Sequence, residues 1–541
     1  MIESGPVSGL IVEAGIYLLL LFTPMAFGGV EAWAIGVFQI LSSIVFVAWA
    51  MGEGSPFRAP GAPEPEQAAP ATRHRTRVLW ICIDLFVLLV VLQLTPLPPG
   101  AIEAISPATW RLYAETLPGY SEGRGFASEE LPGWLLADQS VGIPEAGKAL
   151  AGEGVPPLPL EEAPYATTLS AWRSLSLYPF LTRQSLTMLL CLAGIFAAVT
   201  GHFRTRERLS RLLAVSIGSV ALVSFFGILQ KLSWNGKLYW IREGDYGEVF
   251  GPFVNRNNFA GLAITVLPLA LCLAFRSLGR LRRADREAMP LLILNSFAAV
   301  VIGGGIFFSL SRGGMLAAAG AVSIVGVLLF YFGRHTTELV FLTALFLIAG
   351  LFVVWIGSDR VVERIQTLSE GPGTPSLELR FTAWRGSLDL IGENWLVGTG
   401  FGTFRFAFMR YAPPGRNWWT TAHNEFIEVF TDTGLPGGLI ALVGLGAFFR
   451  TVMRPGLFRR QSGRYAFVGM VAGIVALLVH SNVTSNLQIP ANGLLLVVVG
   501  GALLCHVRIQ ERRVGSGAAG SIGLETPPGE PVVRSRRRKR A

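Results

Sequence analysis

The sequence predicts an all-α fold, a polytopic integral membrane protein with about twelve transmembrane helices and a partly helical outer loop late in the chain. Three observations predict it. Of 541 residues, 51% are hydrophobic and only 15% charged, leaving too little polar surface for a soluble globule of this length. Apolar runs of roughly bilayer-spanning length recur along the chain. Basic residues fall in short clusters between alternate runs, the pattern that orients membrane helices.

The runs lie near 10–30, 33–51, 78–95, 183–201, 212–229, 258–275, 289–309, 314–332, 339–357, 434–449, 465–480 and 490–507. A hydrocarbon core about 30 Å thick calls for roughly 20 helical residues. The opening MIESGPVSG lacks the basic region of a cleavable signal, so the first run reads as a retained anchor. The four cysteines, Cys82, Cys191, Cys272 and Cys505, sit inside apolar runs and share no metal-ligand spacing, so neither a disulfide nor a metal site is expected.

With both termini cytoplasmic, the inner segments are 52–77, Arg204 to Arg211, Arg276 to Arg286, 333–338, Arg450 to Arg464 and the tail ending RSRRRKR. They hold 28 of the 45 Lys and Arg, and the alternation holds at every loop. The net charge of +9 is thereby explained as orientation, and nucleic acid is not an expected partner. The chain divides into helices 1–3 with their inner loop (1–95), a long outer loop (96–182), helices 4–9 (183–357), a second large outer loop (358–433), helices 10–12 (434–507) and a basic tail (508–541). Stretches such as GEGVPPLPLEEAP in the first outer loop suit irregular chain. The inner segment 52–72 and the tail after Arg513 read as disordered for the same compositional reason.

No phosphate-binding GxxxxGK[ST] loop or kinase signature occurs on the inner side, so attention falls on the outer segments. Of six histidines, only His423 and His480 lie at the outer face. His423 opens AHNEFIEVFTDTGLPGG, where Phe426, Val429 and Phe430 follow helical spacing until Gly434 and Pro436 punctuate it. Taken alone, His423 reads as a partly solvated histidine beside a helix cap. SLELRFTAWRGSLDLIG reads as a surface helix with Phe381, Trp384, Leu388 and Ile391 on one face and Arg380 a turn before Trp384. Interfacial anchoring explains its Trp and Arg equally well. Arg312, in SLSRGGML between two apolar runs, is harder to place, because a charge at a helix centre costs roughly 2.5–3.5 kcal/mol on insertion scales. An anionic partner is the default reading there.

In GPFVNRNNFAG, Asn255, Asn257 and Asn258 are placed to cap a helix or to bond hydroxyls, with capping expected for at least one. GTGFGTF is a tight turn without the strand context of a dinucleotide site. Tyr239, Trp240, Tyr246 and Phe250 suit either sugar stacking or a membrane-interface belt.

Together, AFGGVEAW, LSLYPFLTR, GPFVNRNNFAG, SLSRGG, the Arg380 to Trp384 helix with the following VGTGFGTF, and AHNEFIEVFTDTGLPGG resemble the O-antigen ligase and O-antigen polymerase superfamily of bacterial envelope glycosyltransferases. Their order along nearly the whole chain is more specific than any single motif. The resemblance implies a bacterial inner-membrane enzyme with a periplasmic active site in the late outer loop. It implies transfer of a glycan from a polyprenyl pyrophosphate carrier to an acceptor hydroxyl, either the lipid A core (ligase) or another carrier-linked glycan (polymerase). Membrane lipids and envelope polysaccharide assembly proteins are the further expected partners. In that setting His423 is the candidate general base or orienting group, and Arg312 and Arg380 are the candidate pyrophosphate ligands. Asn255, Asn258, Asn424, Glu425, Trp384 and His480 are candidate glycan or acceptor contacts. Glu425 and Glu428 have a plainer alternative, solvation of the loop. No metal or other cofactor is expected, since no outer DxD motif or carboxylate pair is present. Two departures from the family pattern stand out: Thr484 lies where an acidic residue is common, and Trp395 where proline is common before the glycine-rich turn. The alternative from another class is a transporter or flippase of lipid-linked glycans, disfavoured because few charges lie within the apolar runs.

Overall fold

A computed structural model describes residues 5–52, 70–117, 119–123, 171–243, 249–332, 375–412, 419–454 and 463–522. The described residues form helices and connecting turns, with no strand beyond isolated bridges. In chain order the helices are α1 (Gly5–Met25), α2 (Ala32–Met51), α3 (Pro70–Leu94), α4 (Pro99–Ile105), α5 (Pro107–Thr116), α6 (Pro179–His202), α7 (Arg206–Leu232), α8 (Arg256–Leu281), α9 (Ala288–Phe308), α10 (Arg312–Phe332), α11 (Pro375–Glu393), α12 (Phe404–Ala407), α13 (Glu425–Val452), α14 (Arg464–His480) and α15 (Pro490–Ile522). Ten of them are long and apolar enough to cross a membrane, and α14 is a shorter apolar helix. Together they account for every expected run except 339–357, which lies outside the described residues, as do Tyr246, most of the first outer loop and the last part of the tail. The all-α, multi-pass membrane architecture is thus the observed one.

The centre of the bundle is α8 and α15, each with 89% of its apolar stretch buried, against 17% for α3. Small residues make this closeness possible: a Cβ on Gly473 of α14 would run into the Thr265 carbonyl of α8, and one on Gly469 would press on Leu269. With no hydrophobic drive between helices in lipid, such backbone approach and the dispersion contacts it permits hold a membrane bundle together.

Between α9 and α10 the chain turns through Leu310, at φ 57°. The Ser311 hydroxyl organises the turn, accepting from Gly314 N at 3.1 Å and donating to Asn257 Oδ1 at 2.6 Å. Arg312 is therefore the first residue of a helix, at the end of the bundle and away from any helix centre, which removes the insertion penalty at its source.

The GFGTF turn has a structural duty that its local sequence does not reveal. Gly434 (φ 66°, ψ −173°) and Pro436 kink α13 without ending it. Pro436 has no N–H for the Asp432 carbonyl, and the Leu435 N–H goes to Trp395 O at 2.7 Å, leaving the Thr431 carbonyl without its helical partner. Thr399 N and Gly400 N take over these two carbonyls at 3.1 and 3.0 Å. Gln93, near the end of α3, completes the lock: its Nε2 donates to Val397 O at 2.6 Å and Asp432 O at 2.7 Å, and its Oε1 accepts from Phe401 N at 3.0 Å. The Asp432 carboxylate accepts from Gly402 N at 2.7 Å. Gln93→Ala leaves those buried backbone groups short of partners, at roughly 1–3 kcal/mol for each one left unsatisfied. The expected result is about 2–4 kcal/mol of lost stability, read as a lowered melting temperature of the detergent-purified protein; an unchanged melting temperature would show that Gln93 is not what holds the turn.

Candidate active site

The start of α13 is built around the residues just before it. Asn424 is the N-cap, its Oδ1 accepting from Phe426 N at 3.0 Å and Ile427 N at 3.2 Å, as expected of asparagine in that position. His423 precedes it at φ 53°, the left-handed region that a side-chain-bearing residue enters only when its surroundings impose it. Its Nδ1 lies 3.4 Å from Thr421 Oγ1.

Those surroundings are identifiable. Glu428, one turn into α13, reaches back so that Oε1 accepts from Ala422 N at 2.7 Å and from Ser485 Oγ at 2.8 Å, while Gln488 Nε2 donates to Oε2. The Ala422 carbonyl accepts from Trp384 Nε1 at 3.0 Å. Residue 422 is thus held on both its N–H and its C=O, and His423 follows directly. Glu425 ties the same helix start to the 481–488 turn: its N–H donates to Ser481 O at 3.0 Å and its Oε1 accepts from Leu487 N at 2.5 Å and Gln488 N at 3.4 Å. Both carboxylates are buried, 6% and 2% exposed, so the expectation that they solvate the loop is corrected. The i, i+3 spacing puts them on one face of the helix, and that face is turned inward.

His480 closes α14 and is 2% exposed, with Nδ1 3.1 Å from Asn486 Nδ2. The same Asn486 amide donates to Ser481 Oγ at 3.2 Å. On the other side of the imidazole stands Gly313, where an added Cβ would lie 3.2 Å from His480 Nε2. The residue after Arg312 therefore packs against His480, and the charge of Arg380 on α11 also acts on this imidazole. The start of α10, through Gly313, thus meets the end of α14, Arg380 of α11 lies within electrostatic reach of His480, and Glu425 N bonded to Ser481 O brings the His423 segment to the same turn.

The asparagines of the 255–258 segment border this region. Asn255 caps α8, accepting from Asn257 N at 2.8 Å, and so fulfils the capping expectation. Asn258 is held through its carbonyl by Asn492 Nδ2 at 2.9 Å, and its side-chain Oδ1 is buried without a hydrogen-bond partner among the described residues. Asn486 and Asn492, whose Nδ2 donates to Asn486 Oδ1 at 3.4 Å, carried no sequence signal beyond lying in a polar stretch between two apolar runs.

Two other expectations change. On α11 the buried face is Ala383, Ser387 and Leu390, with Gly386 against Phe408; Phe381 and Leu388, expected on the apolar face, point outward at 46% and 63% exposure. An exposed apolar stripe opposite a small-residue face suits a helix lying along the bilayer surface. Among the aromatics, Phe250 is 1% exposed and packs against Phe259 with ring centroids 4.5 Å apart, so it offers no face to a sugar. Tyr239 packs between Phe27 and Phe226 and donates its hydroxyl to Met25 O; burial pushes its phenol up to about 12.

Residues 297–443 match a family model described as O-Antigen ligase. The match takes in Arg312, Arg380, Trp384, His423, Asn424 and Glu425 and stops short of His480. No curated protein sequence matches the chain. The match supports the O-antigen ligase and polymerase superfamily, and with it an enzyme of glycan-transfer type in a multi-pass membrane protein.

Proposed function

We propose that this protein, carrying an O-antigen ligase domain over residues 297–443, transfers a glycan from a polyprenyl pyrophosphate to an acceptor hydroxyl at the periplasmic face of the bacterial inner membrane. The observation that supports this reading is that the backbone beside Arg312 packs on His480, Arg380 lies within electrostatic reach of that imidazole, and the His423 segment, at φ 53°, is tied to the same 481–488 turn through Glu425 N and Ser481 O. In the reaction the acceptor oxygen bonds to the anomeric carbon as the bond from that carbon to pyrophosphate breaks. The hydroxyl proton goes to the His423 imidazole, and the charge left on the pyrophosphate is met by Arg312 and Arg380. Guanidinium forks match phosphate oxygens two at a time, a role that needs no metal ion. His480, fixed by Asn486, positions the Arg312 backbone turn, and the Asn258 side-chain oxygen is suited to accept from a sugar hydroxyl. Trp384, Asn424 and Glu425 act by positioning the His423 segment. The same groups serve a ligase, with lipid A core as acceptor, or a polymerase of O-antigen or exopolysaccharide.

Envelope polysaccharides from a deletion strain complemented with wild type, Arg312→Ala or Arg380→Ala, at matched membrane levels, test this. Each variant is expected to lower long-chain product by about 10²-fold, the usual loss when one group facing transition-state charge is removed. Single capped units left behind identify a polymerase. A bare lipid core with carrier-linked chains accumulating identifies a ligase. Full restoration of long chains by both variants would sink the assignment and favour glycan transport.

A further inference from the structure

What the His480 imidazole can do depends on which ring nitrogen carries its proton. A chain of hydrogen bonds that starts at a backbone carbonyl of α8 answers that question. A carbonyl can only accept, so the end of the Asn492 carboxamide that lies 2.9 Å from Asn258 O is its NH2 group. The reverse orientation would set two oxygens against each other, and the observed one holds although it leaves Asn492 Oδ1 buried with no hydrogen-bond partner among the described residues. The same NH2 group faces Asn486 at 3.4 Å, so the atom it meets there is Oδ1. Asn486 must then turn its own NH2 group the other way, where it lies 3.1 Å from His480 Nδ1 and 3.2 Å from Ser481 Oγ. A donor facing Nδ1 requires a lone pair on that nitrogen. An imidazolium, or the tautomer with its proton on Nδ1, would place two donors head to head.

The relay is built into the bundle and not draped over it. Asn486, Asn492 and His480 are all buried, and α8 makes room for them with a glycine: a Cβ on Gly261 would collide with Asn486 Oδ1 and lie 3.0 Å from Asn492 Nδ2. Buried amides are costly unless they are bonded, and packing alone would be met as well by apolar side chains. The free end of the ring, Nε2, faces the start of α10, where a Cβ on Gly313 would lie 3.2 Å from it. Among the described residues nothing accepts a hydrogen bond from Nε2.

We infer that Asn492 and Asn486 are positioning residues that fix His480 as the tautomer protonated on Nε2, so that beside the Arg312 turn the imidazole presents an N–H and serves as a further donor to the pyrophosphate oxygens. The second half of this assignment rests on the glycan-transfer reading; the first half does not. In addition to packing on Gly313, His480 then supplies a neutral, preoriented donor where charge develops on the leaving group, and its lone pair, spent on Asn486, is not available to act as the base.

Nitrogen NMR of the full-length protein in lipid, labelled at histidine, distinguishes a protonated from an unprotonated ring nitrogen, and the His480 signals are those missing from His480→Gln. Wild type is expected to show Nδ1 unprotonated and Nε2 protonated. In Asn486→Asp, whose carboxylate can only accept, Nδ1 is expected to gain a proton. A protonated Nδ1 in wild type would overturn the inference. Transfer from a polyprenyl-pyrophosphate-linked oligosaccharide, at matched membrane levels, tests the donor. His480→Leu, close in size but without a donor, is expected to lower kcat by about 10²-fold, the usual loss for one donor facing transition-state charge. His480→Gln, whose amide reaches the place of Nε2, is expected to recover most of that loss. Equal activity of the leucine and glutamine variants would leave His480 with packing alone and overturn its role as donor. An inactive wild type would count instead against the glycan-transfer reading, with the tautomer still answered by the spectrum.

Discussion

His423→Asn is expected to lower glycan transfer by about 10²–10⁴-fold, the contribution usual for a positioned general base, with the protein still folded and at normal level in the membrane. Asparagine is the informative replacement because of the backbone. His423 sits at φ 53°, and asparagine visits the left-handed region more readily than most residues. The variant therefore keeps the geometry of the 421–424 corner while removing the imidazole. Alanine at the same place adds backbone strain to the loss of the base, so a larger fall in stability is expected for His423→Ala than for His423→Asn. Transfer is measured with membranes holding matched amounts of protein, using a polyprenyl-pyrophosphate-linked oligosaccharide as donor. If His423→Asn retains more than about a tenth of wild-type transfer, the imidazole is not the base and its strained corner serves packing alone.

The fold was legible because hydropathy and basic clusters are properties of composition along the chain, and bilayer thickness converts them directly into helices. The site was legible only in part. His423, Arg312 and Arg380 stood out because each is a charged or titratable residue in a place where hydrophobic or neutral residues prevail. The meeting of their segments did not, because it depends on contacts between residues far apart in sequence: Gly313 against His480, Glu425 against Ser481, Trp384 against Ala422. The GFGTF turn illustrates the limit. Its glycines announce a tight turn, yet its task is to satisfy carbonyls of a kink some thirty residues later, and only the pairing with Gln93 of α3 shows it. Glu428 was misread for a related reason. A carboxylate near a loop is solvated in most proteins, and what overrides that prior here is a set of donors from Ala422, Ser485 and Gln488 that no local pattern encodes.

Glu428→Ala is expected to have the second largest effect, and it separates positioning from chemistry. The carboxylate accepts hydrogen bonds from Ala422 N, Ser485 Oγ and Gln488 Nε2 while 2% exposed. Removing it strands donors that water reaches poorly, at roughly 1–3 kcal/mol for each one unsatisfied, so about 2–5 kcal/mol of stability is expected to be lost. Transfer falls further than stability alone requires, because Ala422 is then held only by Trp384 and the following imidazole shifts; a displacement of about 1 Å at a reacting group is worth roughly 10²-fold. Glu428→Gln discriminates the possible roles. Its amide keeps one oxygen for Ala422 N and Ser485 Oγ, which share Oε1, and loses only the acceptor for Gln488. A positioning Glu428 therefore predicts that glutamine recovers most of both the melting temperature and the transfer rate. Were Glu428 itself the base, glutamine would restore the melting temperature while transfer stayed as low as in alanine, and the proton acceptor would have to be moved from His423 to the carboxylate one turn into the helix.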